Sequence, residues 1–200
     1  MMTPPDARIP MLDVDDARAA AARVGVPEGM ADLSVFKVLL RHEDLAAKVN
    51  GLLSQLLWNA ALDARLRELI IMRIGWRQGS MYEWTQHWRV ARMLEIPEDD
   101  LVAVRDWKAS DRFDRADRAV LAATDETLGG GAISAATWAE LEAVVPDERA
   151  RLEVVIAIAN WSMFAQLLRS LEVPLEDGVD PWPPDGAVPA RNPVVSELET

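Results

Sequence analysis

Apolar residues recur at helical spacing along the whole chain, and no segment alternates cleanly at period two. The pattern predicts an all-α fold of about nine helices. The first spans 14–24 and is ended by Gly25 and Pro27. A second covers 31–41 and a third 44–59. Asp63 suits the N-cap of a fourth, "ARLRELIIMRIGWRQ", and Gly79 suits the C′ position that closes it. Ser80 opens the fifth, which reaches Glu95 before Pro97. A short helix at 98–107 follows, then one over 114–128 that stops at the triple glycine 129–131. Ser134 caps the eighth and Pro146 breaks it; Asp147 caps the last and longest, running to Glu172.

The expected organisation is one all-α domain over 1–173, with its core motif at 63–95, and a Pro-rich tail over 174–200. That composition favours an extended tail, either solvated or laid over a neighbouring surface with Trp182 as its anchor. A weak internal repeat pairs "ELIIMRIGW" (68–76) with "EVVIAIANW" (153–161). Internal duplication of the helical core is one source of such a match. Convergence of two long buried helices on one pattern is the other.

Half of the 200 residues are hydrophobic, enough for a sizeable core. The net charge of −12 disfavours nucleic acid and anionic membrane surfaces, which call for a basic footprint. There is no cysteine, so disulfides, zinc thiolate sites, iron–sulfur clusters and thiol catalysis are excluded. Apolar runs such as "VVIAIANW" (154–161) fall short of a membrane span, and "MMTPPDARIP" does not read as a signal peptide. The expectation is a cytoplasmic protein with no membrane and no nucleic-acid partner. No metal is expected, because two histidines 45 residues apart with scattered carboxylates match no metal spacing. No phosphate loop, dinucleotide fingerprint or nucleophile elbow is present.

The chemistry concentrates in "GSMYEWTQHW" (79–88). On a helical wheel Ser80, Glu83, Trp84, His87, Val90, Ala91 and Leu94 share one face. Glu83 and His87 therefore sit on the apolar side, one turn apart, where each can serve the other. The fourth helix is apolar nearly all round and is expected to be buried; Glu68 and Arg73 are charged positions bounding and interrupting its apolar run. The tight link at Gly79 folds the fifth helix back beside it, so Glu68, Glu83 and His87 can converge into an acid/base set. A purely structural reading competes. "SMYE" fits the capping box S-x-x-E, in which Ser80 and Glu83 satisfy each other's backbone and Glu83 is no base. The tryptophans 58, 76, 84 and 88 read as core and interface, and His42 as a C-terminal capping group.

The chain resembles the superfamily of γ-carboxymuconolactone decarboxylases and AhpD-type alkylhydroperoxidases. In the peroxidase branch a glutamate is followed after eleven residues by Cys-x-x-Cys and, three residues later, by a histidine. Here the frame reads Glu68, eleven residues, Ser80-x-x-Glu83, three residues, His87, with both cysteine positions substituted. A disulfide cannot form from Ser80 and Glu83, so thiol peroxidase activity is expected to be absent. The decarboxylase branch resembles Glu-Phe-x-x-His here, and "EWTQH" (83–87) is similar to it. The resemblance covers about 34–172 and is sharpest at 63–91; the simple decarboxylases lack much of the N-terminal region and the tail. It implies an AhpD-like helical fold, a trimer or hexamer with the site near an interface, and cofactor-independent chemistry on a small molecule. A carboxylate-bearing lactone would need an arginine, for which Arg73 and Arg77 are the candidates.

The leading expectation is acid/base chemistry on a small cyclic acid, lactone or related enolisable compound. His87 moves a proton to or from carbon, Glu83 orients and polarises it, and Glu68 is a second acid/base or a support. Ser80, Arg73, Trp76 and Trp84 bind substrate. The alternative is a non-catalytic oligomeric or ligand-binding protein that kept the fold after losing the cysteines. Residual redox chemistry is a weaker third.

Overall fold

The computed structural model describes residues 7–190, in which ten α-helices and two 3-10 turns occur and no strand. The last part of the expected tail, 191–200, lies outside the described residues. The helices divide between two compact units.

The first unit holds α1 (Val14–Val24), α2 (Glu28–Ala31), α3 (Ser34–Leu39), α4 (Glu43–Trp58) and the stretch 167–179. The expected helix over 31–41 is broken in two. Asp32 ends α2, and Leu33 takes extended backbone (ψ 137°) before a new helix starts at Ser34. The Asp32 carboxylate is held by the Arg18 guanidinium at 2.9 and 3.0 Å. Glu176 bonds the Ser34 N–H at 2.8 Å, and Arg8 bonds Glu172 at 2.8 Å. Within this unit His42 starts α4 rather than ending a helix: its Nδ1 accepts the Leu45 N–H at 3.4 Å. Trp58, expected in a core or interface, is 70% exposed in this chain.

The second unit holds α5 (Ala64–Gln78), α6 (Met81–Met93), α7 (Glu98–Ala103), α8 (Arg115–Gly130), α9 (Ala135–Val144), residues 148–166 of α10 (Glu148–Ser170), and the segment after 180. Helix α5 is its axis, packed by α6 and α8. Every residue from Leu66 to Gly75 is buried, the charged Arg67, Glu68 and Arg73 among them. Asp63 caps it by accepting the Arg65 and Leu66 N–H groups, and Gly79 closes it in the left-handed conformation (φ 64°). Gly75 lets α6 approach: a Cβ there would lie 3.0 Å from the Trp84 backbone nitrogen and 3.3 Å from its Cα. Helix α8 continues through Gly129 and Gly130, because only Gly131 takes a left-handed backbone (φ 81°) to end it.

The core beside α6 gathers Leu69, Met72, Trp84, Trp88, Leu101 and Trp107, and Trp182 joins it from the segment after 180. The Trp182 N–H donates to Thr85 Oγ1 at 3.1 Å, and Trp84 Nε1 donates to the Pro183 carbonyl at 2.8 Å. Asp185 pairs with Arg105 at 2.8 Å, which holds the aspartate carboxyl down at about 2. Helix α10 has the length and mean hydropathy of a membrane-crossing helix. Its buried Val154, Ala157, Ile158 and Trp161 are those of a core helix, which passes the same test.

Candidate active site

Three helices of the second unit bring four side chains together. Glu68 comes from the middle of α5 and is fully buried. The Gly79 turn reverses the chain, and α6 presents Glu83 and His87 one turn apart. Helix α10 adds Trp161, also buried. His87 Nδ1 lies 2.8 Å from Glu68 Oε2. The Trp161 indole N–H donates to His87 Nε2 at 3.1 Å, its ring edge-on to the imidazole at 89°. Glu83 Oε2 stands 3.5 Å from the same Nε2. Behind Glu68, the buried Arg67 donates from Nε to Glu68 Oε1 at 2.9 Å.

The capping box does not form. The Ser80 N–H that Glu83 would have taken is given to the Gly75 carbonyl at 2.9 Å. Ser80 occupies the N-cap position but makes no side-chain cap. Its Oγ is buried with no hydrogen-bond partner among the protein's own groups. Glu83 is instead turned towards His87. Orientation of the ring was expected of Glu83; the shorter contact to it, 2.8 Å at Nδ1, is made by Glu68.

The hydrogen bonds assign the protons. An indole N–H can only donate, so Nε2 presents its lone pair and Nδ1–H donates to the Glu68 carboxylate. Two acceptors would then face each other at Nε2 and Glu83 Oε2 if Glu83 were ionised. Burial pushes Glu83 up to about 7; the Glu68 charge adds to this and His87 opposes it. For His87, burial works against the charged form. The Glu68 charge and hydrogen bond, with the Glu83 charge, outweigh burial and the Arg67 charge and raise its pKa above the ordinary value. Glu83 and His87 lie close enough to titrate as a coupled pair, and a neutral acid facing a neutral imidazole matches the geometry.

The other expected substrate contacts fare differently. Arg73 is committed elsewhere: it forks onto Asp125 at 2.7 and 2.9 Å and donates to the Val104 and Arg105 carbonyls. Its guanidinium braces α5 against α8 and does not await a substrate carboxylate. Trp84 and Trp76 belong to the tryptophan core, their rings 5.3 Å apart, with Arg105 stacked over both. The wheel put Trp84 beside Glu83 and His87; in the structure the broad buried surface of α6 carries the tryptophans and the charged pair separately. Trp161 and Arg67 were not singled out from sequence. The repeat held a signal for Trp161, since it matches Trp76 at the end of a second buried run.

Among the described residues no group of three or more His, Asp or Glu side chains is arranged to hold a metal ion. A cavity of about 570 Å³ is lined by Trp107, Phe113, Arg118, Ala122, Thr137 and Glu140, and by no member of the triad.

Comparisons with known proteins agree with this architecture. Residues 43–126 match the model of the carboxymuconolactone decarboxylase family. No curated protein matches significantly. Among solved structures, an uncharacterized peroxidase-related protein with an alkylhydroperoxidase AhpD core, from Ralstonia eutropha JMP134, superposes with a TM-score of 0.71 at 16% identity, covering 88% of this chain and 95% of that one. An uncharacterized peroxidase-related protein from Silicibacter sp. TM1040 gives a TM-score of 0.70 at 14% identity, over 90% and 97%. A cysteine-to-alanine variant of the debrominase Bmp8, in complex with 2,3,4-tribromopyrrole, gives 0.67 at 21% identity, over 88% and 94%. At these identities the likeness is one of fold. The match to the carboxymuconolactone decarboxylase family spans residues 43–126, less than half of the chain, with the Glu68–Glu83–His87 frame inside it; the chain, which has no cysteine, shares the helical fold of the AhpD-like structures.

Proposed function

We propose that the protein is a cofactor-independent acid/base enzyme of the decarboxylase branch, acting on a small enolisable compound such as a cyclic acid or lactone. The observation that carries this reading is the convergence of Glu83 and His87, 3.5 Å apart, inside a largely buried cluster, with Glu68 2.8 Å from the far side of the ring. Side-chain exposure falls from 13% at His87 to 6% at Glu83 and none at Glu68. The Glu83–His87 end is the open one.

In a decarboxylation the C–C bond to the carboxylate breaks and its electron pair stays behind as an enolate. Glu83–OH, or His87 once protonated at Nε2, then delivers the proton to carbon. In an isomerisation the same pair first removes a C–H proton and returns it elsewhere. A group with a pKa near 7 suits both directions, being half protonated at neutral pH. Ser80 Oγ, buried and without a protein partner, supports a donor role towards the enolate oxygen. The commitment of Arg73 to Asp125 weighs against strong recognition of a second carboxylate through that residue. Without cysteine there is no thiolate for peroxide reduction.

The test is hydrogen exchange at carbon. Small lactones and keto acids are incubated in D₂O with the wild type, His87→Gln and Glu83→Gln, and deuterium incorporation is followed. The reading expects one compound class to exchange or decarboxylate, with a loss of roughly 10²–10⁴-fold in each variant. Variants that match the wild type would contradict it and return the protein to a binding role.

A further inference from the structure

We propose that Trp161 is a positioning residue that decides where the proton of the Glu83–His87 pair rests, by holding His87 in the tautomer with its lone pair on Nε2. The inference deepens the acid/base reading and rests on it for its catalytic meaning, although its test needs no substrate. His87 is met from three helices. Helix α5 supplies the Glu68 carboxylate at Nδ1 and, behind it, Arg67. Helix α6 supplies Glu83 at 3.5 Å from Nε2. Helix α10 supplies the Trp161 indole N–H, a donor that carries no charge, at 3.1 Å from Nε2.

The two carboxylates both favour an imidazolium. Trp161 acts the other way. Its N–H stabilises Nε2 only while that nitrogen is bare, and faces a second donor once Nε2 is protonated. The indole therefore biases the pair towards Glu83–OH and neutral His87, leaving the proton on the carboxyl. Proton transfer to Nε2 then requires the indole N–H to leave that nitrogen. Because Trp161 is buried and its ring meets the imidazole edge-on, the donor is held in place by packing as well as by the bond.

The chain has only two histidines, so a ¹⁵N-histidine spectrum can be assigned with a His42→Gln variant. Above its titration His87 is expected to show a proton on Nδ1 and a lone pair on Nε2. In Trp161→Phe, which keeps an aromatic ring and removes the donor, the His87 titration midpoint should rise by roughly half to one pH unit. A wild-type His87 protonated on Nε2 above its titration, or an unchanged midpoint in the folded variant, would overturn the proposal. If Trp161→Phe does not fold, the wild-type indole signal of Trp161, recognised by its displacement in His87→Gln, serves instead. It should shift in step with the His87 titration, and a pH-independent signal would overturn the proposal as well. Since the readout is the resting protein, a failure to find turnover would sink the catalytic reading and leave the tautomer result standing.

Discussion

Glu68 and Glu83 carry the same functional group towards the same imidazole, and their surroundings give them different tasks. Glu68 is bonded by Arg67 on one oxygen and by the His87 ring on the other. Glu83 has His87 as a neighbour at 3.5 Å and pays for burial with a raised pKa. Glu68→Gln should therefore lower the His87 titration midpoint, by roughly 1–3 pH units, because it removes the charge that most favours the imidazolium. A histidine ¹⁵N titration reads this directly. The frame of Glu68, Glu83 and His87 was legible in the spacing. Which glutamate contacts which ring nitrogen was not, because it depends on which rotamer Glu83 adopts once Gly75 has taken the Ser80 N–H. Arg73 misled for a related reason: a buried arginine in an apolar helix signals a partner but not which one, and Asp125 lies 52 residues away.

Among the elements, α5 was the most readable. An N-cap aspartate, ten residues without an exposed position and a closing glycine all point to one buried helix. Gly75 was not singled out, yet it sets the α5–α6 distance on which the site depends. Gly75→Ala would push a methyl group to 3.0 Å from the Trp84 backbone, where no side chain can swing away. The expected cost is about 1–3 kcal/mol in denaturant unfolding. On α6 Thr85 is not among the residues of the apolar face drawn from the wheel, but it is buried and accepts the Trp182 N–H. A chain segment arriving from nearly a hundred residues later leaves no trace in local periodicity. The same holds for the break at Leu33 and for the end of α8, where any of three successive glycines could have served.

Across the molecule, burial of the pair should tie stability to pH. Glu83 has a folded pKa of about 7 against an ordinary 4.5. Its contribution is fully present below about 4.5 and is lost as pH rises through about 7. His87 is also raised, so its contribution is present below its ordinary value of 6.5 and is likewise lost on the alkaline side. Asp125 works the other way: burial opposes its charge, but bonds from Arg73 and Trp107 outweigh burial and lower its pKa, adding stability that is lost on acidification. Unfolding free energy should thus fall between pH 5 and 8, by at most on the order of 3 kcal/mol for the Glu83 contribution. Glu83→Gln should flatten that slope. Trp182→Ala, which empties a place in the tryptophan core, should cost about 3–5 kcal/mol at any pH in the same assay. The most direct test of the central claim is a ¹³C titration of the Glu83 side-chain carboxyl in the resting protein. A shared proton predicts a midpoint of about 7, moving higher in His87→Gln because the imidazole no longer opposes burial. A midpoint near the ordinary 4.5 would mean that Glu83 is fully ionised at neutral pH and has no proton to give.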